Sequence, residues 1–391
     1  MQIESVDFFY YKMPEVTTEA DGSQDALLVR VRAGEHEGWG ECDAAPLPSI
    51  AAWCCPRSHG VCRPVAESVL GRGLDDPADI GRINALVREN SLDLLQADHV
   101  LSGIDIALWD LLGKRLGVPA HELLGAQAVH PKRPYASVLF GDTPAETHAK
   151  AERIRSSGFR AAKFGWNRYG RGTAGEDAEQ VAAARAGMGP DAHVMIDAGT
   201  VWKDDVPAAA ARLAALHQAQ VTWLEEPFLS DAESAYAELA AAEPRVPLAG
   251  GEGAHNFHMA RRLIDAGGIG YVQIDSGRVG GITTSREVAL YAAQKGVRYV
   301  NHTFTSMLAL AASLCAYWDL EDSFICEYPV ETKSLCEVLT HERIVPGDDG
   351  LIRPAPGPGL GVTPDLEALR PYRVDLRIEL GGRVLYETPK S

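Results

Sequence analysis

Between Tyr135 and Glu327, short apolar runs alternate with Ala-rich stretches, and this repeat restricts the fold more than any other feature of the chain. The runs are YASVLF, RAAKF, HVMID, VTWLEE, VPLAGGE, YVQID, VRYVNH and SFICE, ending near residues 140, 163, 197, 225, 252, 275, 302 and 327. The shortest step between ends is 23 residues (140 to 163) and the longest 34 (163 to 197). That is the length of a strand, a loop, a helix and a second loop, and right-handed crossovers between parallel strands close into a barrel at eight. Runs such as VMI and YVQI are apolar without alternation, as strands covered on both faces should be. The intervening segments EDAEQVAAARAGM, VPAAAARLAALHQA, AESAYAELAAA, FHMARRLIDAG and SREVALYAAQKG are built from strong helix formers. A doubly wound open sheet is the competing architecture; near-equal spacing favours the barrel.

The flanks read differently. Residues 2–10 and 26–33 are strand-like and lead into a GWGE turn; residues 44–64 read as a long loop. From Asp76 to Leu116 the pattern is helical, with Val100, Ile104, Leu108, Leu111 and Leu112 on one face and Gly117 as the stop. The front section is therefore α+β. After Glu331 a Pro/Gly-rich segment precedes a strand-like tail, RPYRVDLRIEL, expected to return to the amino-terminal section.

Charge narrows the partners. Thirty-seven Lys and Arg against 54 Asp and Glu give a net charge of −17, which argues against nucleic acid and anionic membrane. A small anionic molecule stays open, because a bound metal ion reverses the local sign. No apolar run reaches the ~20 residues of a membrane span, and the polar start MQIESVDFFYYK resembles neither a signal nor a transit peptide, so a cytoplasmic location is expected. Seven cysteines fit reduced thiols. Cys42, Cys54, Cys55 and Cys62 crowd near His59, but the spacing lacks the paired C-x-x-C of a zinc site, and a cysteine-containing loop near a pocket is the simpler reading.

Seven consecutive strands deliver an ionisable residue to the same end: Lys163, Asp197, Glu225 with Glu226, Glu252, Asp275, His302 and Glu327. Barrel active sites lie at that end. One such residue reads as a solvated strand terminus or a helix cap. Seven in register do not, because crowded carboxylates cost stability unless cations offset them. Asp197, Glu225 and Glu252 sit on adjacent strands, and three hard oxygen donors without His or Cys suit Mg²⁺. Lys163 and His302 approach from opposite sides of the mouth. Asp275 neighbours His302 and is placed to fix its tautomer. A lysine beside a divalent cation should have a depressed pKa, and Glu327, if protonated, can donate to a charged oxygen. This set suits removal of the weakly acidic proton next to a carboxylate, with electrostatic stabilisation of the enediolate. The Gly-rich pieces AGGEGAH and SGRVGGIT match no phosphate-binding pattern.

The ordered motifs AAKFGW, VMIDAG, WLEEP, GGEGAH, QIDSGRVGGIT, VNHTF and ICEYP resemble the enolase superfamily, specifically its mandelate racemase subgroup, over nearly the whole chain. The resemblance implies an α/β fold: a modified TIM barrel, (β/α)₇β, over residues 131–330, an α+β capping domain over 1–130, and a carboxy-terminal segment, 331–391, packing on the cap. It implies one Mg²⁺ held by Asp197, Glu225 and Glu252. Lys163 would be the second lysine of a Lys-x-Lys motif, His302 with Asp275 the opposing dyad, and Glu327 the donor to the enediolate. Glu41 of GWGE matches a packing signature of the cap. Two departures stand out: Ala161 replaces the first lysine, and Gly199 replaces a polar residue of some relatives. Arg278 stands where relatives often carry a basic residue. Specificity would come from cap loops at 12–25 and 42–64, with Trp53 and His59, and from Trp166, Asn167, Arg168 and His255. The expected partner is a small-molecule carboxylate, and homo-oligomerisation is common for such barrels. The leading expectation is an acid-sugar dehydratase; the alternatives are a racemase or epimerase using the same residues, and a non-catalytic binding barrel. A metal-dependent hydrolase would require more than one His at the strand ends.

Overall fold

A strand that looks uniformly apolar in sequence still points alternate residues to opposite faces, and this builds the barrel interior. The computed structural model describes residues 1–17, 24–43, 45–95 and 97–390. Three strands open the chain: β1 (Ser5–Tyr11), β2 (Ala26–Ala33) and β3 (His36–Cys42). The barrel follows with β4 (Arg133–Leu139), β5 (Ala161–Gly165), β6 (His193–Asp197), β7 (Trp223–Glu225), β8 (Leu248–Gly250), β9 (Tyr271–Ile274), β10 (Arg298–Asn301) and β11 (Ile325–Pro329). These eight pair in parallel in the order β10-β9-β8-β7-β6-β5-β4-β11. Helical crossovers connect successive strands, and β11 runs instead into a single helical turn, Ser334–Glu337. This is the (β/α)₇β barrel.

Inside it, Tyr135, Ala161, Met195, Trp223, Ala249, Tyr271, Val300 and Ile325 form a closed apolar floor. Two residues further along five of these strands come Lys163, Asp197, Glu225, His302 and Glu327. By the two-residue period they face the same interior, one layer higher. The floor excludes water from below, so charges above it sit in a low-dielectric setting.

The barrel seam lies between β10 and β11, where Asn301 takes the place of a backbone ladder. Its Nδ2 donates to the Glu327 carbonyl at 3.2 Å, and its Oδ1 accepts from the Glu327 N–H at 3.0 Å and from the Tyr317 hydroxyl at 2.7 Å. Asn301→Ala leaves both backbone groups of Glu327 unpaired in the interior, at about 1–3 kcal/mol for each orphaned group. The denaturation midpoint should fall accordingly, and an unchanged midpoint would show that the seam does not depend on this amide.

The cap is an antiparallel sheet, β1-β2-β3, joined on the β1 side by β12 (Arg373–Val374) from the carboxy-terminal tail. A hairpin of β13 (Arg377–Leu380) and β14 (Arg383–Glu387) places the Tyr386 hydroxyl on the Phe8 carbonyl at 2.5 Å. The GWGE segment lies inside β3 and is not a turn. Its glycines allow close approach of the helix Ala97–Leu116: a Cβ on Gly38 would sit 2.1 Å from the Ala107 oxygen, and one on Gly40 2.1 Å from the Gly103 oxygen. The segment expected as a loop at 44–64 contains a helix, Pro46–Cys54, with Pro in its first turn and Ile50 and Trp53 buried three residues apart. The single helix expected over VPAAAARLAALHQA is two, Val206–Ala210 and Leu213–Gln218. At the break, buried Arg212 reaches Asp177 at 3.0 Å and the Gly172 oxygen at 2.9 Å. Among the described residues, no helix is long and apolar enough to cross a membrane.

Candidate active site

Each strand end delivers its side chain into one buried charge network above the floor. Lys163 Nζ lies 2.5 Å from Glu225 Oε1, 2.9 Å from Glu327 Oε1 and 3.3 Å from Asp197 Oδ2. His302 forms the second centre. Its Nδ1 is 2.7 Å from Asp275 Oδ2 and its Nε2 is 3.1 Å from Glu252 Oε2. Backbone and indole N–H groups fix the carboxylates: Gly199 N–H on Asp197 at 2.8 Å, Trp223 Nε1–H on Glu225 at 2.8 Å, Thr303 N–H on Glu327 at 2.8 Å and Gly277 N–H on Asp275 at 2.6 Å. Lys163, Asp197, Glu252 and His302 line one cavity of about 30 Å³ with Ser137, Trp166 and Phe304.

The charges of the protein groups alone shift both Lys163 and Glu327. Burial alone would depress the Lys163 pKa, but Glu225, Glu327 and the other surrounding acids hold it well above the usual lysine value. Burial would likewise raise Glu327, yet Lys163, His302 and the Thr303 N–H keep it below the usual carboxylate range. The neighbouring protein charges thus favour the ammonium form of Lys163 and the ionised form of Glu327. His302 is also held well above its ordinary value: burial is outweighed by Glu252 and the Asp275 hydrogen bond. Glu225 is pushed up to about 8, by burial first and then by its acidic neighbours, against the pull of Lys163.

The expected metal ligands divide between these two centres. Asp197 and Glu225 share Lys163, whereas Glu252 is held by His302 and, at 3.5 Å, by Arg278. Among the described residues, no group of three or more His, Cys, Asp or Glu is gathered tightly enough to hold a metal ion. The donor set itself fits a hard divalent cation, being three carboxylates from consecutive strand ends. Glu226 adds a second indication of charge crowding. Its backbone has φ 40°, its Oε1 is buried without a hydrogen-bond partner, and burial, Glu252, Asp197 and Glu225 push its pKa well above the usual range. The doublet in WLEEP was its signal in the sequence, although only Glu225 was assigned a role.

The remaining candidates separate by position. Trp166 lines the cavity with the bases, and Asn167 lies next to it with Nδ2 on the Phe140 oxygen at 3.1 Å and on Asp142 at 3.0 Å. Gly199, with φ 54°, makes room for Trp166: a Cβ there would lie 2.9 Å from the indole. The position where some relatives have a polar side chain is thus covered by the Trp166 ring. Arg278 grips Asp43 of the cap and approaches Glu252. Four candidates are not brought to the cavity. Trp53 is buried in the cap against Phe8, with ring centroids 5.4 Å apart, because its helix packs on the helix Ala97–Leu116 and on β14. His59 pairs with Asp93 at 3.0 Å on the exposed side of the cap. Arg168 is exposed beyond the end of β5. His255 packs against His99 of the cap helix, with ring centroids 5.2 Å apart and the rings tilted at 44°. Of the cap loop at 12–25, residues 18–23 lie outside the described residues, as does Ala44 in the second loop. The crowded cysteines form no zinc site: Cys42 is buried towards the Val100 carbonyl, and all seven thiols are free.

Glu41 has more than a packing role within the cap. It is buried at the cap–barrel junction, accepts from the Ser306 hydroxyl, and lines a small cavity with Asp275 and His302. Burial, opposed by hydrogen bonds from Ser306 and Thr305, raises its pKa from 4.5 to about 7. The folded state thus binds this proton more tightly than the unfolded chain, and the stability that it confers is lost as pH rises from about 4.5 to about 7. Glu41→Gln should flatten the stability profile across that window. An unaltered slope in denaturant titrations at pH 5, 6, 7 and 8 would refute this.

Fold and site together define a barrel with an acid-rich mouth into which Lys163 and His302 project from separate strand ends. Family models place it further. Residues 146–369 match the enolase C-terminal domain-like model, and residues 12–125 match the mandelate racemase / muconate lactonizing enzyme N-terminal domain. The chain belongs to the enolase superfamily. A crystal structure of a predicted mandelate racemase from Rhodobacter sphaeroides is 58% identical over 100% of both chains, with a TM-score of 0.96. D-galactonate dehydratase of Variovorax paradoxus is 30% identical over 82% of this chain and 87% of its own. D-galactarolactone cycloisomerase of Agrobacterium fabrum is 28% identical over 89% of this chain and 91% of its own. Members of this superfamily are enzymes and generally use Mg²⁺.

Proposed function

We propose that the protein is a Mg²⁺-dependent dehydratase of a sugar acid. The observation that carries this reading is His302, held through Nδ1 by Asp275 at 2.7 Å and lining the cavity that Lys163 also lines. An imidazole fixed in this way keeps one nitrogen for proton transfer. His302 takes the proton from the carbon next to the substrate carboxylate, leaving its electron pair in an enediolate. The β-hydroxyl then departs with the proton that His302 returns, as water, and the enol tautomerises to a 2-keto-3-deoxy acid. One water is lost and no net oxidation occurs. Lys163, as an ammonium, places fixed positive charge beside the developing oxyanion. A divalent cation held by Asp197, Glu225 and Glu252 would supply a docking charge for the carboxylate and make the neighbouring proton more acidic.

The racemase reading keeps a place because Lys163 and His302 reach the cavity from separate strands, β5 and the end of β10. A panel of aldonic and aldaric acids with Mg²⁺, assayed for 2-keto acid, tests the proposal. Deuterium incorporation from D₂O without ketone would overturn dehydration in favour of racemisation. Metal binding has its own readout: added MgCl₂ should raise the melting temperature of the native protein, and Asp197→Asn or Glu252→Gln should abolish the increment. An equal increment in all three proteins would remove these residues as ligands.

A further inference from the structure

The cavity between the two bases, about 30 Å³, is far too small for a six-carbon acid, yet it opens beside a much larger one. Leu139, Trp166 and Phe304 line both. The second is a cleft of about 830 Å³ across the ends of β4 and β5 and the segment after β11. A substrate whose α-carbon lies at Lys163 and His302 must place its far carbons past Trp166 and Phe304 into this cleft.

The charges on its walls are uneven. Its acids are already engaged: Glu331 binds Lys150 at 2.8 Å, Glu146 accepts from the Asp142 N–H at 2.9 Å, and Asp142 accepts from Asn167 at 3.0 Å. Arg153, Arg171 and Lys333 also line it, from three separate segments, and their side chains make no ion pair or hydrogen bond within the described residues. With Lys150 the walls carry four cations against these three carboxylates, which leaves the cleft with excess positive charge in a chain of net charge −17. Hydroxyl groups alone give cations little to bind; an anion gives them charge-assisted hydrogen bonds.

We infer that Arg153, Arg171 and Lys333 form a subsite for a second anionic group, so that the substrate is a sugar acid charged at both ends. This rests on the sugar-acid reading above and narrows it, from either aldonate or aldarate to a doubly anionic acid. The far group is a terminal carboxylate or a terminal phosphate, which share this chemistry.

The test uses the full-length protein with Mg²⁺ and two matched series: gluconate, glucarate and 6-phosphogluconate, and galactonate with galactarate. Binding is read by calorimetry and turnover by 2-keto acid formation. In the accepted configuration the doubly charged acid should bind at least tenfold more tightly than the aldonate. Arg171→Ala and Lys333→Ala should each raise its Kd and KM about tenfold or more, with kcat nearly unchanged and aldonate values within twofold. Preference for glucarate over 6-phosphogluconate, or the reverse, assigns the far group. Equal affinity for aldonate and aldarate, insensitive to both variants, would overturn the subsite while leaving dehydration intact. Charge-dependent binding without any ketone would support the subsite and reject the dehydratase.

Discussion

His302→Asn is expected to lower kcat on the native substrate by about 10²–10⁴-fold, the usual contribution of a positioned acid–base group. The amide can keep a hydrogen bond to Asp275, now 2.7 Å from Nδ1, so folding should survive and the loss should be chemical. It removes the only imidazole in the charge network, and with it the group able to accept and return one proton at the same carbon. KM should move little, because Lys163 and the acids that hold it remain in place. Solvent exchange at the α-carbon separates the two readings further. If Lys163 takes the proton and His302 acts only as the acid, the variant will still wash deuterium into the substrate without forming ketone. Turnover within threefold of the native protein would dismiss His302 from the reaction.

Lys163→Met should produce the largest stability change. It withdraws an ammonium lying within 3.3 Å of Asp197, Glu225 and Glu327, in a layer where Lys163 and Glu225 are buried. Breaking a buried ion pair from one side typically costs about 3–5 kcal/mol, because the surviving charge stays unpaired. The sign of the pH dependence follows. Without Lys163 the three carboxyl groups titrate higher in the folded protein than in the unfolded chain, so the variant is least impaired at acidic pH and loses stability as pH rises. Denaturant midpoints at pH 5 and pH 8 measure this, and a deficit independent of pH would show that packing, not charge, is what Lys163 provides. The native residue itself was expected to be a depressed-pKa base. In the structure its acidic neighbours outweigh its burial, as they do for His302.

How much was legible in the sequence depended on the range of the interactions involved. Every barrel strand was visible, because a parallel strand covered on both faces must be apolar and must be followed by enough chain to cross over. The ionisable residue closing each run was visible for the same reason: strand ends in a barrel share one rim. Cap details were harder. GWGE read as a turn because glycine often marks turns, whereas Gly38 and Gly40 are there so that a helix can touch β3. Trp53 and His59 looked like polar-loop candidates, but Pro46–Cys54 is helical and turns Trp53 onto Phe8.

The sequence by itself determined the barrel, its strand order and the residues that gather at its mouth, since two-residue alternation and chain length act locally and leave a periodic trace. Which of those residues pair was decided only in three dimensions. Lys163 with Glu327, Glu252 with His302, Asn301 bridging a seam and Trp166 covering Gly199 are contacts between distant segments. Their strength depends on burial and on the sum of all nearby charges, and no spacing along the chain encodes that sum.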